Sequence, residues 1–185
     1  QKLPTDFHHE SHLHDTTKVL CFFLDKKTTT PLLKEAPKAY RTQVNDILLA
    51  ALVLAFGDWS GNYTLSLSLE GHGRESFDKK IDLSQTIGWF TSLFPVYLSV
   101  KAPDDLGKSL KEIKETLREI PNKGIGYGLL KYYTHLLNSH STPQISFKIT
   151  AAKFLATIHF LAFQIFNSSG LLIKNISKMM PPLDT

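Results

Sequence analysis

Apolar and polar residues alternate most cleanly over residues 64–69, where Leu65, Leu67 and Leu69 point one way and Thr64, Ser66 and Ser68 the other. A period of two predicts a half-buried strand. The same parity puts Glu70 on the serine face, away from the leucines. Gly71-His72-Gly73 follows at once, so the strand runs into a flexible corner. A helical period rules Asp104 to Ile120, where Leu106, Leu110, Ile113, Leu117 and Ile120 recur at spacings of 4, 3, 4 and 3 with Lys and Glu between them. This predicts an amphipathic helix, its stripe packed in a core or, as an alternative, offered to a partner. Thr42 is the expected cap of another helix reaching about Trp59. Its apolar positions Val44, Ile47, Leu48, Ala51, Leu52, Leu54, Ala55 and Phe56 cover most of its circumference, the pattern of a helix buried inside a domain.

Weaker signals fill the gaps. Residues 18–24 are aromatic and β-branched enough for a buried strand. Thr29-Thr30-Pro31 reads as a cap with proline at the first helical position, opening a short helix that stops near Pro37. Ile87 to Val100 is aromatic and β-rich, and Pro95 marks an edge or a break in it. Pro121 to Gly128 reads as a glycine-rich loop. Strands and helices mixed without strict βα repetition predict an α+β fold, a mixed sheet packed with helices.

Composition narrows the class. The 185 residues are 42% hydrophobic with 12 Phe, enough for one core and against disorder. A single cysteine excludes a disulfide framework and a Cys-based zinc site, which suits a reducing, cytoplasmic compartment. Lys and Arg (21) barely outnumber Asp and Glu (17), so no nucleic-acid partner is expected. The longest apolar stretch, Phe154 to Phe166, is broken by Thr157, His159 and Gln164. A spanning helix needs roughly 18 or more such residues, so no membrane segment is read. The polar opening carries no secretory leader, and a start on Gln1 reads as processing or as a piece of something longer.

Candidate chemistry concentrates in one place. His8, His9, His12 and His14 lack the Asp, Glu or Cys companions of a metal site, so residues 1–16 read as a polar linker and no metal is expected. Gly124-x-Gly126-x-Gly128 has neither a preceding strand nor a following Lys-Ser/Thr pair, so neither nucleotide fingerprint is met. Glu70-Gly71-His72-Gly73-Arg74-Glu75 differs in kind: it brings two carboxylates, an imidazole and a guanidinium into six residues at a strand end. A carboxylate so placed can act as acid or base in proton transfer, or the segment can be a surface turn with local ion pairs.

Residues 70–75 (EGHGRE), 82–95 (DLSQTIGWFTSLFP) and 121–130 (PNKGIGYGLL) resemble, in order, the epimerization domain of nonribosomal peptide synthetases. Residues 38–49 resemble the helix leading into that region. The resemblance covers about residues 17–147. It implies one chloramphenicol-acetyltransferase-like lobe, the C-terminal of two, with the active site between lobes. The implied chemistry is conversion of an L-aminoacyl or peptidyl thioester to its D form by removal and return of the α-proton. The substrate rides on the phosphopantetheine of a peptidyl carrier protein, and no cofactor is bound directly. Glu70 takes the family's catalytic position, His72 and Arg74 shape the site, and Gly88, Trp89 and Ser92 belong to the substrate channel. The usual counterpart, the second His of an HHxxxDG motif, belongs to the N-terminal lobe and has no match here, since no Asp-Gly follows His8-His9 at the right offset. The lobe alone is therefore expected to be inactive. The alternatives are a non-catalytic remnant that docks a carrier protein and an amide-forming condensation domain, the latter disfavoured by EGHGRE and PNKGIGYG.

Residues 148–185 form a divergent or frameshifted tail. The family's Phe-Asn-Tyr-Leu-Gly is due at Phe147, where the chain reads FKITA. Codons TTT AAA ATT ACn GCn GCn AAA that lose two adenines become TTT AAT TAC nGC nGC nAA, which permits Phe-Asn-Tyr-x-Gly-Gln. The alternative is a divergent helix from Ile149 to Phe166. From Lys148 to Met180 the chain has lysines but no Asp or Glu, and a shifted frame would leave it without evolved packing. Limited proteolysis of the purified chain should then trim this tail first, and a resistant C terminus would count against the shift.

Overall fold

A computed structural model describes residues 3–4, 24–75, 81–134, 137, 143–151 and 161–167. Their order is α1 (Lys26–Lys34), α2 (Ala36–Tyr40), α3 (Val44–Ser60), β1 (Thr64–Gly71), β2 (Ser92–Ser99), α4 (Leu106–Arg118), a tight turn (Pro121–Gly124), α5 (Tyr127–Tyr132), β3 (Ile145–Ala151) and β4 (Leu161–Asn167). The strands form one mixed sheet in the order β2-β1-β3-β4. β1 runs antiparallel to β2, from Thr64 opposite Ser99 to Gly71 opposite Ser92. It runs parallel to β3, with Leu67, Ser68 and Leu69 beside Ile145, Ser146 and Phe147. β3 and β4 pair antiparallel. The α+β class expected from the sequence is the one observed.

The alternation in β1 organises this sheet. Leu65 and Leu67 enter the core with Val96 and Leu98 opposite them and Ile145 and Phe147 alongside. α3 and α4 close this face through Leu49, Val53, Phe56 and Ile113. Full burial of such side chains contributes about 1.5–3 kcal/mol each. The other face carries Ser66, Ser68 and Glu70, with Tyr97, Pro95 and Leu93 opposite them and Ser146 beside Ser68. Pro95 lies on β2, an edge of the sheet among the described residues, where a missing N–H breaks no ladder bond.

Boundaries moved where side chains outcompeted local signals. Asp25, not Thr29, caps α1, accepting from the Thr28 N–H at 2.8 Å, and Pro31 falls inside the helix. Pro37 sits in the first turn of α2 rather than ending a helix. Thr42 does not cap α3. Gln43 does, with Asp46 accepting from its N–H at 2.8 Å, and the buried Thr42 hydroxyl has no hydrogen-bond partner among the described residues. α3 is also less enclosed than its composition predicts: Leu49, Val53 and Phe56 are buried, but Ala51 is exposed. Asp105 caps α4 through the Lys108 N–H, which leaves Leu106 at the exposed start of the stripe. α5 occupies part of the segment expected to be loop. The helix expected as an alternative over Ile149–Phe166 is replaced by strand at both its ends, and β3 passes position 147 unbroken. His8, His9, His12, His14 and nearly all of the strand expected over residues 18–24 lie outside the described residues.

Gly57, in the last turn of α3, lets the Tyr63 ring lie against the helix: a Cβ there would stand 2.1 Å from the ring. The Tyr63 hydroxyl donates to Asp58 at 2.7 Å and its carbonyl accepts from Val100, so the ring has little freedom to retreat. Gly57→Ala gains about 1 kcal/mol of helix propensity but overpacks at a cost of about 1–3 kcal/mol. We expect a net loss of about 1 kcal/mol in a urea melt. A stabilised variant would show that the ring yields freely.

Candidate active site

β1 ends in the acidic-glycine corner, and the backbone there is set by close packing. Gly73 adopts φ +67°, and a Cβ on it would lie 1.5 Å from the Phe90 carbonyl oxygen. Only glycine fits both the left-handed conformation and that approach. Arg74 then lays its guanidinium over the Phe90 ring at 4.2 Å and donates to the Leu83 carbonyl at 2.6 Å. One side chain thus ties the corner to both ends of the 82–95 segment. Asp82 caps the turn at the start of that segment, accepting from the Ser84 N–H at 2.9 Å. That bond holds its carboxyl below the ordinary 3.8. The cap therefore survives until pH falls through this lowered value.

A third segment closes on the same corner. Asn122, Lys123 and Gly124 all have positive φ, which costs about 1–2 kcal/mol at each non-glycine position. The turn brings Gly124 under the Phe94 ring, where a Cβ would approach to 2.2 Å. It also aims the Lys123 ammonium at Glu75, 2.8 Å from Oε2. The other oxygen of Glu75 meets His72 Nε2 at 3.1 Å, while His72 Nδ1 accepts from the Arg74 N–H at 3.0 Å. With Nδ1 accepting, a neutral His72 carries its proton on Nε2 and donates it to Glu75.

Glu70 stands apart from this network. It lies on the open face of the sheet, opposite Leu93 on β2, and its Oε1 is 2.7 Å from the ammonium of Lys148 on β3. His72 and Arg74, its neighbours in sequence, are engaged elsewhere. A groove of about 520 Å³ runs along the same face between Thr91–Pro95 and α5, with Ser68 and Ser92 in its wall. Of the segment expected to form a substrate channel, Ser92 therefore lines a groove. Gly88 is exposed and Trp89 is 89% exposed, on the approach to β2. Sequence reasoning missed Lys123 and Lys148. The first lies inside a recognised motif, but nothing in its spacing names Glu75. The second lies in the segment assigned to a divergent tail.

A family model for the condensation domain matches residues 1–170. The chain belongs to the condensation-domain family. Its relatives in this family are nonribosomal peptide synthetases. It is 45% identical over 133 residues to surfactin synthase subunit 1 of Bacillus subtilis (strain 168), covering 72% of this chain and 4% of that one. It is 50% identical over 111 residues to bacitracin synthase 3 of Bacillus licheniformis, covering 60% and 2%. Among solved structures it resembles the epimerization domain from the third module of tyrocidine synthetase B. The TM-score is 0.73 and the identity 41%, over 79% of this chain and 34% of that one. The fold is thus the chloramphenicol-acetyltransferase-like one of condensation and epimerization domains. The chain spans a small fraction of these synthetases and about a third of the solved domain. No helix among the described residues is long and apolar enough to cross a membrane.

Two glycines of this condensation-family chain should separate in a melt. Gly73→Ala meets the Phe90 carbonyl and should cost about 2–4 kcal/mol. Gly126→Ala, with open space around its Cβ position, should stay within about 0.5 kcal/mol of wild type. Equal effects at both positions would contradict the close packing of the corner.

Proposed function

We propose that this chain is a C-terminal lobe of an epimerization domain in a nonribosomal peptide synthetase, converting a carrier-bound L-aminoacyl or peptidyl thioester to the D form. The observation that carries this reading is the placement of Glu70. β1 delivers it to the open face of the sheet, beside a groove and clear of the ion pairs that lock the corner. A carboxylate so held can take a proton from the α-carbon of an acyl group or, once protonated, give one to it. The likeness to the solved epimerization domain favours isomerisation over amide formation.

Each remaining element has a part in this scheme. His72 and Arg74 shape the site: the Arg74–Phe90 stack and the His72–Glu75–Lys123 chain fix the corner from which Glu70 projects. The segment containing Gly88, Trp89 and Ser92 belongs to the channel, with Ser92 at the groove itself. The phosphopantetheine of a peptidyl carrier protein brings the thioester to the groove, and no other cofactor takes part. An N-terminal lobe supplies the opposing wall, which excludes water, and the second proton-transfer group, the histidine of HHxxxDG. Removal of the proton to one group and return from the other inverts the centre, and the reaction consumes nothing.

The test is reconstitution. The chain alone with a carrier-bound L-aminoacyl thioester should give no D product on chiral analysis after release. Adding a separately made N-terminal lobe of an epimerization domain should restore it. Glu70→Gln should abolish the restored activity by at least about 100-fold, the scale of general acid–base catalysis, with an unchanged circular dichroism spectrum. Full activity of Glu70→Gln, or D product from the chain alone, would overturn this assignment.

A further inference from the structure

The parallel pairing of β1 and β3 ends its register with Leu69 beside Phe147. One step further along both strands stand Glu70 and Lys148, on the same face, in contact at 2.7 Å. Their side chains keep 22% and 38% of their surface exposed, so both are reachable from the open side of the sheet. The other cations near the corner are committed: Lys123 to Glu75, Arg74 to the Leu83 carbonyl and the Phe90 ring. Leu93 on the opposite flank of Glu70 is apolar. The carboxylate therefore has one ionic partner among the described residues.

We infer that Lys148 is a catalytic residue of the Glu70 site, its ammonium receiving the carbonyl oxygen of the acyl group whose α-proton Glu70 takes. This rests on the epimerization reading above and adds to it the group that stabilises the charge formed. When the α C–H bond breaks, its electron pair forms the carbon–carbon double bond of an enolate, and the carbonyl π pair moves to oxygen. The proton goes to a Glu70 oxygen. Delivery of a proton to the opposite face of the α-carbon by the second proton-transfer group forms the new C–H bond and returns the pair from oxygen to the carbonyl. Exchange with solvent resets both groups, and Lys148 keeps its own protons throughout. The two atoms that must be met, the α-hydrogen and the carbonyl oxygen, sit on adjacent carbons. A carboxylate and an ammonium already in contact span that distance. In the absence of substrate they satisfy each other, and an entering acyl group exchanges that contact for one with each pole. Positioned charge at a developing oxyanion is among the largest catalytic effects available to a protein.

The test uses the full chain and a probe, N-acetyl-L-alanyl pantetheine thioester labelled with 13C at the carbonyl. Binding to the wild-type chain should move the carbonyl resonance downfield, the signature of polarisation by a cationic donor. Lys148→Met should remove that shift and weaken binding about tenfold, whereas Lys148→Arg should keep the shift. A Lys148→Met chain that gives the wild-type shift, or a wild-type chain that leaves the resonance unmoved, overturns the inference. The two readings fail separately. D product in the reconstituted system with a Lys148-independent carbonyl shift removes the role of Lys148 alone. A Lys148-dependent shift without D product removes the epimerization assignment and leaves the carbonyl contact.

Discussion

β1 lies between an antiparallel neighbour and a parallel one, and its strict alternation is the constraint on which the rest depends. Leu65 and Leu67 can be buried only if Ser66, Ser68 and Glu70 face the other way. A slip of one residue would send Glu70 into a core of Leu49, Val53 and Phe56, where an unpaired carboxylate is costly. The apolar side of the strand thus holds the polar side in place. The groove is built along that polar side, with Ser68, Leu93 and Pro95 in its wall.

The three family motifs are distant in sequence and meet at one corner for steric reasons. Gly73 accepts the Phe90 carbonyl and Gly124 accepts the Phe94 ring, each at positive φ and each where a Cβ could not exist. Asn122 and Lys123 hold left-handed conformations that cost free energy locally. That strain is offset by what the turn delivers: a glycine against Phe94 and an ammonium against Glu75. Phe90, Ser92 and Phe94 crowd the corner where Gly73, Gly71 and Gly124 meet them.

Charge is partitioned between two acidic groups with different duties. Glu75 is four-fifths buried as a side chain and holds two partners, one for each oxygen. It works as a bracket between the corner and the Pro121–Gly124 turn. Glu70 has Lys148 on one oxygen and faces the open side. The ammonium that touches Glu70 thus comes from β3 and not from the corner. The identity of residue 148 sets the charge beside this carboxylate.

Local periodicity determined a good deal by itself. The strand over 64–69, its leucine and serine faces, the α4 stripe through Ile113, the edge position of Pro95 and the α+β class all follow from spacings within a few residues. Such spacings reflect one face of an element meeting one environment. Within the motifs, Gly73 and Gly124 are fitted to Phe90 and Phe94, whereas Gly126 and Gly128 meet open space and Trp89 is exposed. Caps were less legible. Thr42 is the local candidate, and only Asp46 reaching back to the Gln43 N–H moves the cap by one residue. What tertiary structure alone decided is pairing. Glu70 lies two residues from His72 and four from Arg74, yet it meets neither, because alternation and the Gly73 turn aim them apart. Its partner is 78 residues away, brought there by a parallel register that no local pattern encodes.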